Sequence, residues 1–226
     1  MIFGGIQRLS TIDFPGVLSC VVFTRGCDLD CFYCHNRALI SGQSEDDLSE
    51  EEVLAFLNKR VGKLSGVVVS GGEPTLWPEL PEFLKKVRKR GFQIKLDSNG
   101  QRPAVLRALW EEGLFDYAAI DVKALPKDYA AVCGAPGFPQ EAVSTLMALG
   151  APFEVRTTLY PGLTLDALKE LFKLLPNMPR WRLNFFRMPQ VYKAWDERRL
   201  HAPALTRGKI DEAKEQLLKL QSGLTY

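Results

Sequence analysis

Three cysteines in one short segment constrain this chain of 226 residues more than any other feature. Cys27, Cys31 and Cys34 stand in a C-x3-C-x2-C pattern directly after the apolar run Leu18–Thr24. Thiolates are the usual protein ligands of iron–sulfur clusters, which normally take four cysteines. Three cysteines would leave one iron of a four-iron, four-sulfur cluster without a protein ligand and open to another molecule.

Other types of site compete with this interpretation. The segment Cys31–His35 also fits the C-x-x-C-H pattern of haem attachment, a reaction normally found outside the cytoplasm, but Met1–Ser10 lacks the regions of a signal peptide. Structural zinc would need a fourth ligand, and no second C-x2-C pair is present. A disulfide framework is disfavoured because five cysteines is an odd number, so we expect Cys20 and Cys133 to be buried apolar side chains.

The composition is that of an ordinary globular domain, with 46% hydrophobic residues, 25% charged residues and a formal net charge of +2. This balance favours no nucleic-acid partner, and the longest apolar runs are too short to predict a membrane span. A chain of this length buries roughly 70% of its unfolded surface, which is enough for one core. We therefore expect a single domain over residues 1–226, located in the cytoplasm.

Short apolar, β-branched runs alternate with longer amphipathic segments, a pattern typical of βα units around a parallel sheet. The predicted strands are Leu18–Thr24, Gly66–Ser70, Gln93–Asp97, Tyr117–Val122, Phe153–Leu159 and Trp181–Phe186. Six units suit a partial barrel, because a complete eight-stranded barrel typically takes about 250 residues. After the last strand we expect irregular chain over Gln190–His201 and a helix over Thr206–Leu220.

The ends of the predicted helices carry local signals. Ser49 and Glu52 have the spacing of a capping box, in which a hydroxyl and a carboxylate satisfy exposed amides at the start of a helix. Gly91, Gly113 and Gly150 each stand between an amphipathic segment and a predicted strand. Glycine is favoured there because the residue after a helix often adopts the left-handed conformation.

Polar residues and glycines cluster where the predicted strands end. They are Gly71, Gly72, Glu73, Asp97, Ser98, Asp121, Lys123 and Arg156. Ligands of parallel sheets and barrels collect at the carboxyl ends of the strands, which makes these residues candidates for a binding site. Taken one at a time they are equally consistent with turns, helix caps and an arginine that extends to solvent.

The cysteine spacing resembles the signature of the radical S-adenosylmethionine (SAM) enzymes, in which the open iron binds SAM through its amino and carboxylate groups. Together with the segment Asp13–Gly16 and the Tyr-Cys-His-Asn sequence that ends the motif, it is similar to that of the glycyl-radical-enzyme activating proteins. The resemblance implies an α/β fold with a partial (β/α)6 barrel of the radical SAM type. It also implies that Cys27, Cys31 and Cys34 hold a 4Fe-4S cluster.

Roles for other residues follow from the same resemblance. Gly71, Gly72 and Glu73 match a GGE-type motif, whose backbone and carboxylate hold the SAM amino group. Tyr33, between two of the cysteines, would either lie against the adenine or pack the loop. Leu183–Arg187 lacks the histidine found near the adenine in pyruvate formate-lyase activating enzymes, so no such contact is expected here.

The strand ends from Asp97 to Lys123 are similar to those that line the SAM pocket in pyruvate formate-lyase activating enzymes. The similarity implies that Asp97, Ser98, Asp121 and Lys123 contact SAM, and that the carboxylates help to hold a monovalent cation, for which oxygen ligands are suited. Arg156, on the fifth predicted strand, would bind a carboxylate through two parallel hydrogen bonds.

The resemblance implies an oxidoreductase that works under anaerobic conditions, using SAM and the cluster to install a glycyl radical on a partner enzyme. The segment Arg8–Gly16 and the chain length favour the activating proteins of anaerobic ribonucleoside-triphosphate reductase. Activation of pyruvate formate-lyase, a radical SAM reaction on a small molecule, and a zinc-stabilised interaction module remain the alternatives. Because only Cys20 and Cys133 are left over, we expect an external electron donor such as flavodoxin or ferredoxin.

Overall fold

A computed structural model describes residues 1–40 and 46–226. The contacts within the chain divide it into two compact units. The first unit consists of Met1–Asp28, Ala38–Ala119 and Glu141–Phe153, and the second of Leu29–Arg37, Ile120–Gln140 and Glu154–Tyr226. The boundary falls inside the cysteine segment, and the single domain over residues 1–226 stays a prediction.

Strands and helices alternate along most of the described chain. The strands are β1 Ile2–Ser10, β2 Ser19–Thr24, β3 Leu48–Ser49, β4 Gly66–Gly71, β5 Gln93–Ser98, β6 Tyr117–Asp121, β7 Phe153–Leu159, β8 Trp181–Phe185 and β9 Leu224–Thr225. The α-helices are α1 Glu50–Asn58, α2 Leu80–Arg88, α3 Pro103–Glu111, α4 Tyr129–Cys133, α5 Gln140–Ala148, α6 Leu165–Lys173, α7 Glu197–Leu200 and α8 Arg207–Leu220. Short 3-10 helices cover Arg37–Leu39, Pro74–Leu76, Pro126–Asp128 and Ala194–Asp196.

All six strands predicted from the sequence are present, with every end within one residue of its expected place. Strands β1, β3 and β9 were not predicted from the sequence. The segment that forms β1 contains the adjacent glycines Gly4 and Gly5, which are depleted in strands and interrupt its apolar pattern. Strands β3 and β9 have two residues each, too few to show a period.

The first unit is built on strands in the order β3-β1-β2-β4-β5. Strand β1 runs antiparallel to β2 and β3, whereas β2, β4 and β5 are parallel, with Val22 opposite Val69 and Val69 opposite Leu96. The valines of β4 are fully buried, as expected for a parallel strand covered on both faces. Phe3 of β1 packs against Phe83 of α2 with ring centroids 5.0 Å apart.

The second unit contains the parallel strands β7, β8 and β9. Trp181 of β8 is fully buried, and its ring lies 4.6 Å from that of Phe172 of α6. The Trp181 indole N–H donates to the Thr157 hydroxyl at 3.0 Å, which donates to the Val122 carbonyl at 2.8 Å. The Val122 amide in turn donates to the Arg156 carbonyl at 2.8 Å. These bonds fix the chain at the end of β6 beside β7.

The helix-end signals are confirmed. The Glu52 amide donates to the Ser49 hydroxyl at 3.2 Å, and the Ser49 amide donates to the Glu52 carboxylate at 2.8 Å. Gly91, Gly113 and Gly150 have φ angles of +84°, +65° and +63°, in the left-handed region where a residue with a Cβ is disfavoured.

One segment differs from the expectation. The chain over Gln190–His201 is not irregular throughout, because it contains the 3-10 helix Ala194–Asp196 and α7. Helix α8 is present as expected and begins one residue later, at Arg207, with the Thr206 hydroxyl accepting a hydrogen bond from the Lys209 amide at the cap. Among the helices of residues 1–40 and 46–226, none has both the length and the apolar character needed to cross a membrane.

The Thr157 hydroxyl gives a prediction for stability. Thr157→Val keeps the shape of the side chain but leaves the Trp181 N–H and the Val122 carbonyl without this partner. An unpaired buried polar group costs about 1–3 kcal/mol, so we expect the free energy of unfolding to fall by about 2–4 kcal/mol in a urea titration. Thr158→Val, at the half-buried neighbouring position, is the control and should change it by less than about 1 kcal/mol. Equal losses in the two variants would contradict this role.

Candidate functional site

Both units carry residues predicted to form the site. The first unit contains Cys27, Gly71, Gly72, Glu73, Asp97 and Ser98. The second unit contains Cys31, Tyr33, Cys34, Asp121, Lys123 and Arg156. Each unit thus brings together some of the predicted ligands of the cluster and some of the predicted contacts of SAM.

In the first unit, the turn that ends β4 lies against the chain just before the first cysteine. The Gly72 amide donates to the Thr24 carbonyl at 2.9 Å, and the Glu73 amide donates to the Gly26 carbonyl at 2.7 Å. A Cβ on Gly72 would stand 1.9 Å from the Gly26 carbonyl oxygen, and Gly71 has a φ of +113°. Both glycines are therefore required by a close backbone approach that fixes the start of the cysteine segment.

The Glu73 carboxylate is completely buried and connects this turn to the end of β5. One oxygen accepts hydrogen bonds from the Thr75 amide at 3.1 Å, the Thr75 hydroxyl at 2.5 Å and the Ser98 hydroxyl at 2.9 Å. The other accepts from the Asn99 amide at 2.7 Å. Burial raises the pKa of Glu73, while these donors oppose the rise. Glu73 thus positions two loops, and its contact with the SAM amino group stays a prediction.

Asn99 is a residue of this site that the sequence analysis treated only as part of a turn. Its side-chain amide donates to the Asp28 carboxylate at 2.7 Å and approaches the Cys27 sulfur to 4.0 Å. Arg102 adds a longer contact of 3.4 Å to the same carboxylate. The available signal was the position of Asn99 directly after a strand that ends in predicted site residues.

Asp97, predicted to help hold a monovalent cation, is paired with a lysine ammonium. The Lys95 Nζ lies 2.7 Å from an oxygen of Asp97, and the two side chains are only 1% and 8% exposed. The sequence analysis assigned no role to Lys95. The contacts of Asp97 and Ser98 with SAM stay predictions.

In the second unit, backbone hydrogen bonds hold the cysteine loop against the end of α4. The Asp30 amide donates to the Cys133 carbonyl at 2.7 Å, and the Phe32 amide donates to the Val132 carbonyl at 3.2 Å. Between them, Cys31 accepts a hydrogen bond from the Cys133 thiol, which lowers the pKa of Cys31 to about 7 against the effect of burial. Cys133 is buried as expected, but its contact with a predicted ligand was missed.

The buried side chain of Arg37 also stabilises this loop. Arg37 donates to the Cys31 carbonyl at 2.7 Å and to the Asp30 carboxylate at 2.7 Å. The other oxygen of Asp30 accepts from Lys193. The Cys34 amide donates to the Cys31 carbonyl at 3.0 Å, and burial raises the pKa of the Cys34 thiol. These hydrogen bonds give the loop a defined conformation.

Tyr33 is enclosed by aromatic rings. Its ring stacks on Tyr160 with centroids 5.1 Å apart and an angle of 10° between the planes, and Phe32 meets both rings edge-on. Its buried hydroxyl has no hydrogen-bond partner within the described part of the chain. A buried hydroxyl without a partner is costly, so this atom suits a site that a polar ligand completes. Contact with the adenine stays a prediction.

Asp121 lies between two cations in the second unit. Lys123 donates to one of its oxygens at 3.0 Å and Arg156 to the other at 2.9 Å. Burial alone would raise the pKa of Asp121, but the charges of Arg156 and Lys123 outweigh it and hold that pKa below its usual range. The three groups carry a net positive charge, which suits a negatively charged ligand such as a carboxylate.

The fit of a metal centre depends on the chemistry of the donor atoms. Over residues 1–40 and 46–226, no three His, Cys, Asp or Glu side chains lie close enough together to hold a metal ion. The donors that the cysteine segment offers are nevertheless thiols, the ligands that iron–sulfur clusters use. The residues present fit such a cluster.

Comparison with known proteins identifies the family. The model of the Radical SAM superfamily matches residues 21–175. The chain belongs to the radical SAM superfamily. Proteins of this superfamily bind a 4Fe-4S cluster and SAM, so these two predicted cofactors are confirmed, and so is the prediction of a radical SAM enzyme. The monovalent cation and the individual site residues stay predictions.

Curated relatives of this radical SAM protein include activating enzymes. A Methanocaldococcus jannaschii protein named "Putative glycyl-radical enzyme activating enzyme MJ1227" is 38% identical over 53% of this chain and 49% of its own length. The pyruvate formate-lyase-activating enzyme of Staphylococcus epidermidis is 30% identical over 75% of this chain and 72% of its own length. The chain thus spans about half of the first relative and nearly three quarters of the second.

A solved structure confirms the predicted fold class. SuiB of Streptococcus suis bound to S-adenosylmethionine matches with a TM-score of 0.68, over 88% of this chain and 46% of SuiB, at 14% sequence identity. The protein therefore has the radical SAM fold, an α/β fold with mostly parallel strands.

The close approach of Gly72 to Gly26 gives a second prediction. Gly72→Ala forces a Cβ into the Gly26 carbonyl, and because such overpacking costs about 3 kcal/mol, we expect a matching loss of unfolding free energy and a failure to retain iron on reconstitution. Urea unfolding and iron analysis measure the two effects. The control is Gly208→Ala in α8, where a Cβ meets no atom within 4 Å. An iron content equal to that of the unmodified protein in Gly72→Ala would refute the prediction.

Proposed function

We propose that this radical SAM protein is an activase that installs a glycyl radical on a partner enzyme. The observation that carries the proposal is the C-x3-C-x2-C segment in a chain that is 30% identical to a pyruvate formate-lyase-activating enzyme over 72% of that protein. The name of the Methanocaldococcus jannaschii relative supports the same class of activity.

The three cysteines are the proposed ligands of the cluster. The backbone just before Cys27 is hydrogen-bonded to the turn after β4. Cys31 and Cys34 lie on the loop that is held by Arg37 and by the end of α4. When bound, the reduced cluster supplies the electron that cleaves SAM, and the radical chemistry that follows belongs to the cofactors. The chain contributes the ligands, their orientation and the exclusion of competing reactants.

Residues at the strand ends are the proposed contacts of SAM. Gly71, Gly72 and Glu73 are the proposed contacts of the SAM amino group. The two glycines let this turn lie against the chain before Cys27, and Glu73 keeps the turn in place through its hydrogen bonds to Ser98 and Asn99. In the second unit, Lys123 and Arg156 are the proposed partners of the SAM carboxylate, because together with Asp121 they leave one net positive charge. The unpaired hydroxyl of Tyr33 is available to a polar group of the ligand.

The proposed partner is the anaerobic ribonucleoside-triphosphate reductase, as the resemblance over Arg8–Gly16 implies. Pyruvate formate-lyase is the second candidate, because relatives with that activating function, including one from Clostridium pasteurianum, are 30% identical to this chain. In either case the substrate is a glycine in a protein, and the electron comes from an external donor such as flavodoxin or ferredoxin. The activase works in the cytoplasm, with no nucleic acid involved.

The ligand set can be tested by three alanine variants of the reconstituted protein. Cys27→Ala should lose the cluster absorbance and most of the iron, because a thiolate ligand is missing. Cys133→Ala should retain the iron but show a more negative midpoint potential, because it removes a hydrogen bond to the Cys31 sulfur that favours the reduced cluster. Cys20→Ala, which removes another fully buried thiol, is the control and should change neither quantity. Equal iron loss in all three variants would show that the ligand set is wrong.

The activity itself can be tested with candidate partners. The reduced holoprotein and SAM should generate a glycyl radical on anaerobic ribonucleoside-triphosphate reductase, detected by electron paramagnetic resonance. A partner variant with alanine at the radical glycine should give no signal. A radical formed only on pyruvate formate-lyase would move the proposal to the second candidate. Rapid turnover of a small metabolite, with no radical on any glycyl-radical enzyme, would overturn the activase proposal and leave the radical SAM assignment in place.

A further inference from the structure

Lys95 is buried in the core of the first unit and pairs with Asp97, a predicted residue of the site. Lys95 and Asp97 are two residues apart on β5, and successive side chains of a strand alternate between its faces, so these two project from the same face. Their charged atoms are 2.7 Å apart, and the two side chains are 1% and 8% exposed. The Asp97 carboxylate is therefore buried together with the Lys95 ammonium, which compensates its charge.

This pairing conflicts with the monovalent cation that the family resemblance predicts. A metal ion beside Asp97 would need several oxygen ligands, and one of the two Asp97 carboxylate oxygens already accepts a hydrogen bond from the Lys95 ammonium. It would also lie close to that positive charge in a buried region, where repulsion between like charges is stronger than in water. The second carboxylate of the predicted cation site, Asp121, is likewise matched by two basic side chains, Lys123 and Arg156.

We propose that the Lys95 ammonium replaces the monovalent metal ion at Asp97, so that SAM binding by this protein does not depend on Na⁺ or K⁺. A buried carboxylate needs a compensating charge, and a lysine on the same strand supplies it permanently. Lys95 acts through Asp97 and is a positioning residue. The inference rests on the proposed SAM pocket and is independent of which enzyme is activated.

The first test measures the dissociation constant of SAM for the anaerobic holoprotein by equilibrium dialysis. The salt is KCl, NaCl or choline chloride at one ionic strength, because choline is too large to replace a metal ion. We expect the three dissociation constants to agree within about twofold, because no metal ion is gained or lost when SAM binds. A difference of 1.4 kcal/mol in binding free energy would appear as a tenfold change in the dissociation constant. Binding that is tenfold weaker in choline would overturn the inference.

The second test replaces the lysine. In Lys95→Met the side chain keeps its length but loses its charge, and we expect SAM binding to become at least tenfold tighter in KCl than in choline chloride. A purely structural defect would weaken binding equally in both salts, and that result would overturn the inference. The control is Lys86→Met, which removes an exposed ammonium that pairs with Glu50 and should produce no salt dependence.

A third measurement separates this inference from the proposed function. Equilibrium dialysis against Rb⁺, a substitute for K⁺, is carried out on the holoprotein without SAM. We expect no tightly bound Rb⁺ in the unmodified protein and about one equivalent in Lys95→Met. One equivalent in the unmodified protein would overturn the role of Lys95 even where SAM binds normally, whereas a lack of SAM binding in every salt would overturn the proposed pocket.

Discussion

The buried carboxylate of Glu73 is the interaction on which the first unit's part of the site depends. An ionised carboxylate is costly to bury unless donors surround it, and here donors from Thr75, Ser98 and Asn99 satisfy both oxygens. These donors come from the turn after β4 and from the end of β5, so the carboxylate forces the two loops to meet. The same loop carries the Asn99 side chain that reaches Asp28, next to the first cysteine. The start of the cysteine segment thus depends on a residue far from it in sequence.

In the second unit, other groups satisfy the polar backbone atoms of the cysteine loop. Its cysteine loop has backbone amides that would otherwise need water, and they donate to carbonyls at the end of α4. Arg37 adds a charged donor to the Cys31 carbonyl, and Asp30 balances its charge. The cysteines therefore stand on backbone that is ordered by the protein itself.

The sequence predicted six of the nine strands in the described residues and the chemical class of the site, but not the contacts that hold the site together. These six strands were predictable because short β-branched runs such as Val67–Val69, which are buried on both faces, stand out from the amphipathic segments between them. The ligand type was predictable because the spacing of the cysteines is local. The hydrogen bond from Asn99 to Asp28 joins residues 71 positions apart, and no local period records such a pair. The Lys95–Asp97 pair, in contrast, had a visible signal, since two opposite charges two residues apart in a strand share a face.

That pair also shows how a covalent charge differs from a bound ion. The occupancy of an ion site depends on the concentration of the ion, so the stability and the affinity linked to it change with the salt outside. A lysine on the same strand is always present, and its contribution does not change in this way. A lysine is also tied to its own backbone, whereas a metal ion is held only by the oxygen ligands around it. In the second unit, Asp121 has its own cations in Lys123 and Arg156. Both carboxylates of the predicted cation site are thus paired with basic side chains of the chain itself, one at Asp97 and two at Asp121.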